Sequence, residues 1–178
     1  MWGAPLHGQS PDGKSLSVVV VDSEGIGGLD EDEDHDIRIF SLAVLLASSF
    51  LYNSVGNIDE TALQNLSLVT SLTKHINSKT NGQEESGNDL MPTFTWVVRD
   101  FALQLVDEEG EPISAPEYLE MALEDRKGAD EHNLIRKELK RVFPKRNCCT
   151  LIRPLTNEDD LQCLGELDLS ELRSDFVE

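Results

Sequence analysis

The sequence predicts an α/β domain with a mostly parallel sheet and flanking helices, and three observations carry that prediction. Apolar runs of strand length at 16–21, 48–53, 94–98 and 148–152 are separated by stretches of helical spacing or composition, the alternation that builds parallel sheets. The first run, with Val18, Val19, Val20 and Val21 in succession, is continuous rather than alternating, which is the pattern of a strand buried on both faces. Charge stands directly after two of the runs, as Asp22 and as Arg99-Asp100. Both lie at C-terminal strand ends, the edge where open parallel sheets hold ligands.

In chain order, residues 1–6 read as the tail of an extended segment, and Pro11-Asp12-Gly13 reads as a turn. The strand at 16–21 follows. The run DEDEDHD at 30–36 has oxygen ligands that suit a divalent cation, but its spacing lacks the pattern of a calcium loop, and it reads as a solvated mobile loop. Residues 37–47 have helical composition, and 48–53 form the second strand. Asp59 is a candidate N-cap for a helix in which Ala62, Leu63, Leu66, Val69, Leu72 and Ile76 recur at helical spacing, with Lys74 and His75 in its last turns. The Gly-containing polar stretch 78–89 is a loop.

The third strand, FTWVV at 94–98, is closed by Arg99-Asp100, and the alternation of Phe101, Leu103 and Leu105 allows a short extension. Residues 107–112 form a turn-rich loop. Ser114 and Glu117 match a capping box for a helix to about 125, which Gly128 breaks. A further helix runs from 130 to 142 and stops at Pro144. The fourth strand is 148–152. The acidic tail, with leucines at 161, 164, 167, 169 and 172, is expected to contain helix.

The chain has 178 residues, enough for one domain with a sizeable core. Its net charge of −19 argues against nucleic acid and anionic membranes as partners, since both require cationic patches. Cys148, Cys149 and Cys163 have neither zinc spacing nor a disulfide framework. They read as reduced thiols of a cytoplasmic protein, with Cys148 and Cys149 as small core residues. No apolar stretch is long enough for a transmembrane segment.

Two stretches invite a nucleotide reading. Gly8 to Ser15, GQSPDGKS, satisfies G-x-x-x-x-G-K-[ST]. A phosphate loop, however, follows a strand and opens a helix. Here a strand begins at once, and Pro11 and Asp12 remove a donor and add negative charge, so the stretch reads as a hairpin-like turn. At Asp22-Ser23-Glu24-Gly25 the residues leave two readings open. One is a core strand followed by a turn. The other is the edge of a nucleotide site, where an aspartate serves Mg²⁺ and a glycine N–H serves the terminal phosphate. Arg99-Asp100 on its own reads as a surface ion pair. In one parallel sheet, Asp22 and Arg99-Asp100 would face the same crevice.

Longer stretches identify a family. DSEG at 22–25, IFSLAVLLASSFLYNSVGNID at 39–59, LSLVTSLTKHI at 66–76, WVVRDFALQL at 96–105, PEYLEMAL at 116–123 and FPKRNCCTLIRPL at 143–155 resemble guanylate-binding proteins, large GTPases of the dynamin-related group. They are most similar to the branch found in plants and protists. The resemblance implies a P-loop-GTPase-like fold and GTP or GDP as ligand. It implies that Asp22 stands beneath Mg²⁺ through a water. It further implies that Asp22, Ser23, Glu24, Gly25 and Ile26 form a second switch sensing the terminal phosphate, and that Arg99-Asp100 is the pair that reads guanine. A carboxylate there accepts both guanine N1–H and the exocyclic amine, a contact adenine cannot make.

Against that family pattern, the first strand, the phosphate loop and the first switch lie upstream of anything in this chain, and the guanine cap lies beyond its end. The chain is therefore expected to be part of a GTPase domain truncated at both ends. Hydrolysis is expected to be impaired. The alternatives are a non-catalytic protein acting through protein contacts and an incomplete gene model. An exposed sheet edge with self-association is also expected, as is a homodimer through the GTPase face by family resemblance.

Overall fold

The computed structural model describes residues 4–23, 33–69, 91–157 and 159–177. The elements are β1 (Leu6–Gln9), β2 (Ser15–Val18), α1 (Glu33–Leu46), β3 (Ser49–Val55), α2 (Glu60–Gln64), β4 (Thr93–Arg99), α3 (Ala115–Ala122), α4 (Asp130–Val142) and β5 (Arg146–Thr150). Two 3-10 segments, Asp159–Glu166 and Leu169–Glu171, and a last turn of helix, α5 (Ser174–Val177), complete the chain. Strands β3, β4 and β5 form a parallel sheet in that order, as the α/β reading requires.

The sheet has one buried face. Phe94, Trp96 and Val98 on the central strand are fully buried, and in register beside them stand Phe50, Tyr52 and Cys148. Phe143 lies over Phe94 at 4.9 Å between ring centroids, and Phe40 of α1 meets Phe50 edge-on at 5.5 Å. The buried residues of α1, α2, α3 and α4 join this same cluster. The opposite face carries Leu51, Asn53 and Val55 on β3, Thr95 and Val97 on β4, and Asn147 and Cys149 on β5. All seven are exposed or half-buried and uncharged, but Arg99 at the end of β4 shares their face, in register with Val55 and bonded to Asn53. Cys149 is thus solvent-facing rather than core. Adjacent strand residues point to opposite faces, and only Cys148 points inward.

Helix boundaries follow local chemistry. The Asp59 side chain accepts from Ala62 N–H at 2.8 Å and caps α2. Ser114 and Glu117 form the reciprocal capping box of α3, with the Ser114 N–H donating to Glu117 Oε2 at 2.7 Å. The hydrogen bonds from the Ser114 backbone and then its hydroxyl hold Glu117 below its ordinary value. α4 spans the residues expected of it, with Asp130 and Glu131 in its first turn and Lys140 and Arg141 in its last, each sign matched to the helix dipole.

Several expectations are corrected. The run at 16–21 is not a buried strand of the parallel sheet. β2 ends at Val18 and pairs antiparallel with β1, and Val18 to Val21 stay exposed, Val21 to 68%. Its apolar continuity announces a preference for burial but cannot name the neighbour that provides it. The hairpin turn at Ser10–Lys14 is as expected, with Gly13 at φ 80° and Lys14 paired to Asp12 at 2.7 Å. Glu33 to Asp36 belong to α1 rather than to a loop, and Asp36 is only 9% exposed.

Residues 101–105 form no strand, and only a Val106–Pro112 bridge follows β4. β5 starts at Arg146, two residues before the predicted start. The tail is mostly 3-10, tied back by Arg173 N–H to the Pro154 carbonyl at 2.9 Å. Of the predicted long second helix, α2 covers Glu60–Gln64, and Leu66 and Val69 are buried beyond it. Leu72, Lys74, His75, Ile76 and the loop at 78–89 lie outside the described residues. Among the described residues, no helix is long and apolar enough to cross a membrane.

A buried cation fastens α2 to α4. Arg136 is fully buried and donates to the Ala122 carbonyl at 3.1 Å, to Asn133 Oδ1 at 3.0 Å and to Glu60 Oε1. Arg126 reaches the same Oε1 at 3.1 Å, and His132 Nδ1 lies 3.0 Å from Oε2. Burial raises the Glu60 pKa, but the Arg136 hydrogen bond and the charges of Arg136, His132 and Arg126 outweigh it and leave the carboxyl below its ordinary value. Glu60→Ala strands the Arg136 charge in the core. Because Glu60 is itself partly exposed, the expected loss is about 2 kcal/mol in urea unfolding, below the range for a fully buried pair. A depressed carboxylate stabilises the fold above its unfolded value, and that contribution is lost as pH falls through the folded one. The wild-type advantage over Glu60→Ala is therefore expected to be full above pH 4.5 and to shrink on acidification below it.

Candidate functional site

The C-terminal edge of the parallel sheet is built by the ends of β3, β4 and β5, where Val55 pairs with Arg99 and Val98 with Thr150. Beyond the strands the ladder continues in loop backbone. Leu151 N–H donates to the Val98 carbonyl at 2.8 Å, and Phe101 N–H donates to the Leu151 carbonyl at 2.9 Å. Between these bonds sits Asp100, with φ 54°, the one non-glycine residue of positive φ among the described residues. Aspartate tolerates this left-handed conformation better than most residues, yet it costs on the order of 1 kcal/mol and persists where neighbours fix it.

Those neighbours are visible. Arg99 Nε donates to Asn53 Oδ1 of β3 at 2.7 Å, and the Arg99 carbonyl accepts from Gly56 N–H at 2.8 Å. Gly56 has φ 92°, a turn that its lack of Cβ permits. On the other side, Phe101 is buried and its ring meets Tyr118 of α3 at 5.5 Å and 65°. Tyr118 Oη accepts from Ile58 N–H at 3.0 Å. Burial pushes the Tyr118 phenol above its ordinary value, against the Ile58 hydrogen bond, so the hydroxyl is neutral at physiological pH.

Asp100 opens onto a cleft of about 420 Å³, shared with Leu103, Ile152, Arg153 and Arg173. One acidic and two basic residues thus line it in a chain of net charge −19. Such a cleft is suited to a ligand with hydrogen-bond donors at one end and negative charge at the other.

Of the residues expected at the site, the structure places Asp100 in this cleft and Arg99 beside it, bonded across the sheet. Asp22 and Ser23 are exposed and follow β2, whose partner strand is β1. The expectation that one parallel sheet brings Asp22 to the edge that holds Arg99-Asp100 is therefore not met, because β2 is not in that sheet. Glu24, Gly25 and Ile26 lie outside the described residues. No group of three or more His, Cys, Asp or Glu side chains that could hold a metal occurs among the described residues.

Arg153 and Arg173 were not anticipated. Arg153 follows the last predicted strand directly, so the strand-end rule that singled out Arg99-Asp100 also finds it. Arg173 lies in the acidic tail and is tied to the cleft by its N–H bond to the Pro154 carbonyl, a long-range contact that no local pattern announces.

The family described as guanylate-binding protein, N-terminal domain, matches residues 1–178. Guanylate-binding protein 2 of Homo sapiens is 38% identical over 189 residues, covering 100% of this chain and 31% of that protein. Guanylate-binding protein 1 of Chlorocebus aethiops is 39% identical over 189 residues with the same coverage. Guanylate-binding protein 7 of Mus musculus is 37% identical over 187 residues, covering 99% of this chain and 28% of that protein. The chain thus spans less than a third of the length of these relatives. Matched by that family along its whole length and by relatives at 37–39% identity, this chain belongs to the guanylate-binding protein family.

Proposed function

We propose that the chain carries the base-recognising part of a guanine-nucleotide site, and that its family function is GTP binding and hydrolysis. The observation that carries this reading is Asp100, held left-handed at the end of the central strand and open to a cleft with Arg153 and Arg173. Its carboxylate offers two acceptors to guanine N1–H and the 2-amino group. Adenine has an acceptor at N1 and no 2-amino group, so it leaves a carboxylate unpaired. The arginines supply positive charge for the phosphate end of the ligand. Mg²⁺ would enter with the phosphates, since Mg²⁺ binds through few carboxylates and keeps several waters. Asp22 is the carboxylate we assign to it, and Asp22, Ser23, Glu24, Gly25 and Ile26 form the segment we assign to the terminal phosphate.

The test is a titration of the 178-residue chain with GDP and ADP, compared with Asp100→Asn. Charged hydrogen bonds are worth roughly 1.5–3 kcal/mol, so the substitution is expected to cut GDP affinity on the order of tenfold or more and to leave ADP unchanged. Equal affinity for both nucleotides in the wild type, or an unchanged GDP affinity in the variant, overturns the reading.

We further propose that hydrolysis by this polypeptide alone is weak. Phosphoryl transfer relies on a backbone cradle, a lysine and metal ligands. Gly8 to Ser15 is a hairpin turn whose Lys14 is exposed and paired with Asp12, so it does not replace that cradle. GTP turnover by the purified chain in Mg²⁺ buffer is expected to match an Asp22→Ala control, and turnover clearly above that control sinks this part of the proposal.

A second reading, action through protein contacts, is favoured by the open sheet face around Leu51 and Val55, whose strand residues include no carboxylate and a single cation, Arg99. In a chain of net charge −19, a face whose strands carry no carboxylate is one where a second copy meets little repulsion. Light scattering is expected to show concentration-dependent association that Leu51→Lys weakens; a monodisperse wild-type monomer at every concentration counts against it.

A further inference from the structure

Asp100 is enclosed by a ring of contacts that leaves the site on one side and returns to it on the other. The Arg99 carbonyl takes Gly56 N–H at 2.8 Å, and the backbone runs from Gly56 to Ile58. Ile58 N–H donates to Tyr118 Oη at 3.0 Å, and the Tyr118 ring rests on Phe101, the residue after Asp100, at 5.5 Å. Tyr118 is the one side chain in this ring that touches both the β3 exit loop and the segment after Asp100. It is itself well anchored: its N–H bonds the Ser114 carbonyl at 2.9 Å, in the first turn of a helix fixed by the Ser114–Glu117 capping box. Ile58 is buried and stands next to the α2 N-cap, so the exit loop has little room to shift without Tyr118 following.

We propose that Tyr118 is a positioning residue for base recognition: by joining Ile58 to Phe101 it fixes the left-handed turn that presents Asp100 to the cleft. The proposal rests on the base-recognition reading above. The aromatic contact alone would hold Phe101, and the hydroxyl alone would hold Ile58. Joined in one side chain, they make the positions of the two loops depend on each other. A residue with a ring but no hydroxyl keeps the packing and breaks the dependence, which separates positioning from simple core filling.

The experiment uses the 178-residue chain with Tyr118→Phe and, in parallel, Phe101→Leu. Residue-resolved amide hydrogen exchange is measured at Ile58, Phe101, Trp96 and Val98, together with the ratio of GDP to ADP affinity. Tyr118→Phe is expected to speed exchange several-fold at Ile58 and also at Phe101, whose N–H bonds Leu151 and not Tyr118. The core amides of Trp96 and Val98 are expected to stay as protected as in the wild type, and the affinity ratio to fall several-fold. Acceleration at Ile58 alone, or an unchanged ratio in a wild type that prefers GDP, overturns the proposal. If the wild type shows no preference, the base-recognition reading has failed, and exchange at Phe101 alone decides whether Tyr118 couples the two loops. Should Tyr118→Phe not fold, Phe101→Leu carries the same comparison: it retains the hydroxyl bond to Ile58, and an unchanged GDP to ADP ratio in that variant overturns the proposal.

Discussion

The central strand β4 has to satisfy two neighbours, bury one face completely and then release the chain in a direction no strand would take. Its pairing with β3 over seven positions and with β5 over five fixes its register on both sides. Phe94, Trp96 and Val98 commit one face to the core, where the aromatic rings of Phe40, Phe50, Tyr52 and Phe143 surround them. A one-residue slip would turn Thr95 and Val97 inward and expose Trp96, so the register has no near competitor. That constraint places Arg99 level with Val55 at the sheet's edge, and Asp100 one step beyond it. The site is where it is because the core permits only one register.

What happens after Arg99 is decided by hydrogen bonds rather than by burial. The ladder does not stop with the strands; it passes into the Leu151 and Phe101 backbone, and the left-handed Asp100 is the cost of that continuation. Glycine would take the same conformation with less strain, but glycine brings no carboxylate. A strained aspartate where a relaxed glycine would serve the fold points to a role for the side chain. The surrounding contacts to Asn53, Gly56 and Tyr118 supply the rigidity that such a position needs.

The sequence was most informative where local chemistry decides the outcome. The Asp59 cap, the Ser114–Glu117 box and α4 from Asp130 to Val142 depend on residues a few positions apart, and each is found as expected. The three parallel strands were legible because their apolar runs are short and bounded by Gly, Pro or charge. The sequence misled where the outcome depends on a partner far along the chain. Val18 to Val21 announce burial, but the strand that ends at Val18 pairs with Leu6–Gln9 instead of the main sheet. Cys149 looks as apolar as Cys148, and only the phase of β5 separates them. At the site, Arg99-Asp100 and the neglected Arg153 share one signal, a charge directly after a strand. Arg173 has none, because it arrives through an irregular tail.

Charge is the remaining physical question, since a chain of net charge −19 is a poor host for a polyphosphate at long range. The repulsion is diffuse, however, while the attraction is local. At physiological ionic strength the screening length is about 8 Å, so most acidic residues on the far helices are attenuated before they reach the cleft. Arg153 and Arg173 line the cleft directly, within the distance at which screening is incomplete. Net charge therefore sets how slowly an anionic ligand arrives more than how firmly it is held, and the hold is set by the few groups at the sheet edge. By the same reasoning, an acidic surface does not by itself exclude the proposed anionic-ligand site. Three of the chain's cations, Arg99, Arg153 and Arg173, stand at or beside the ends of β4 and β5.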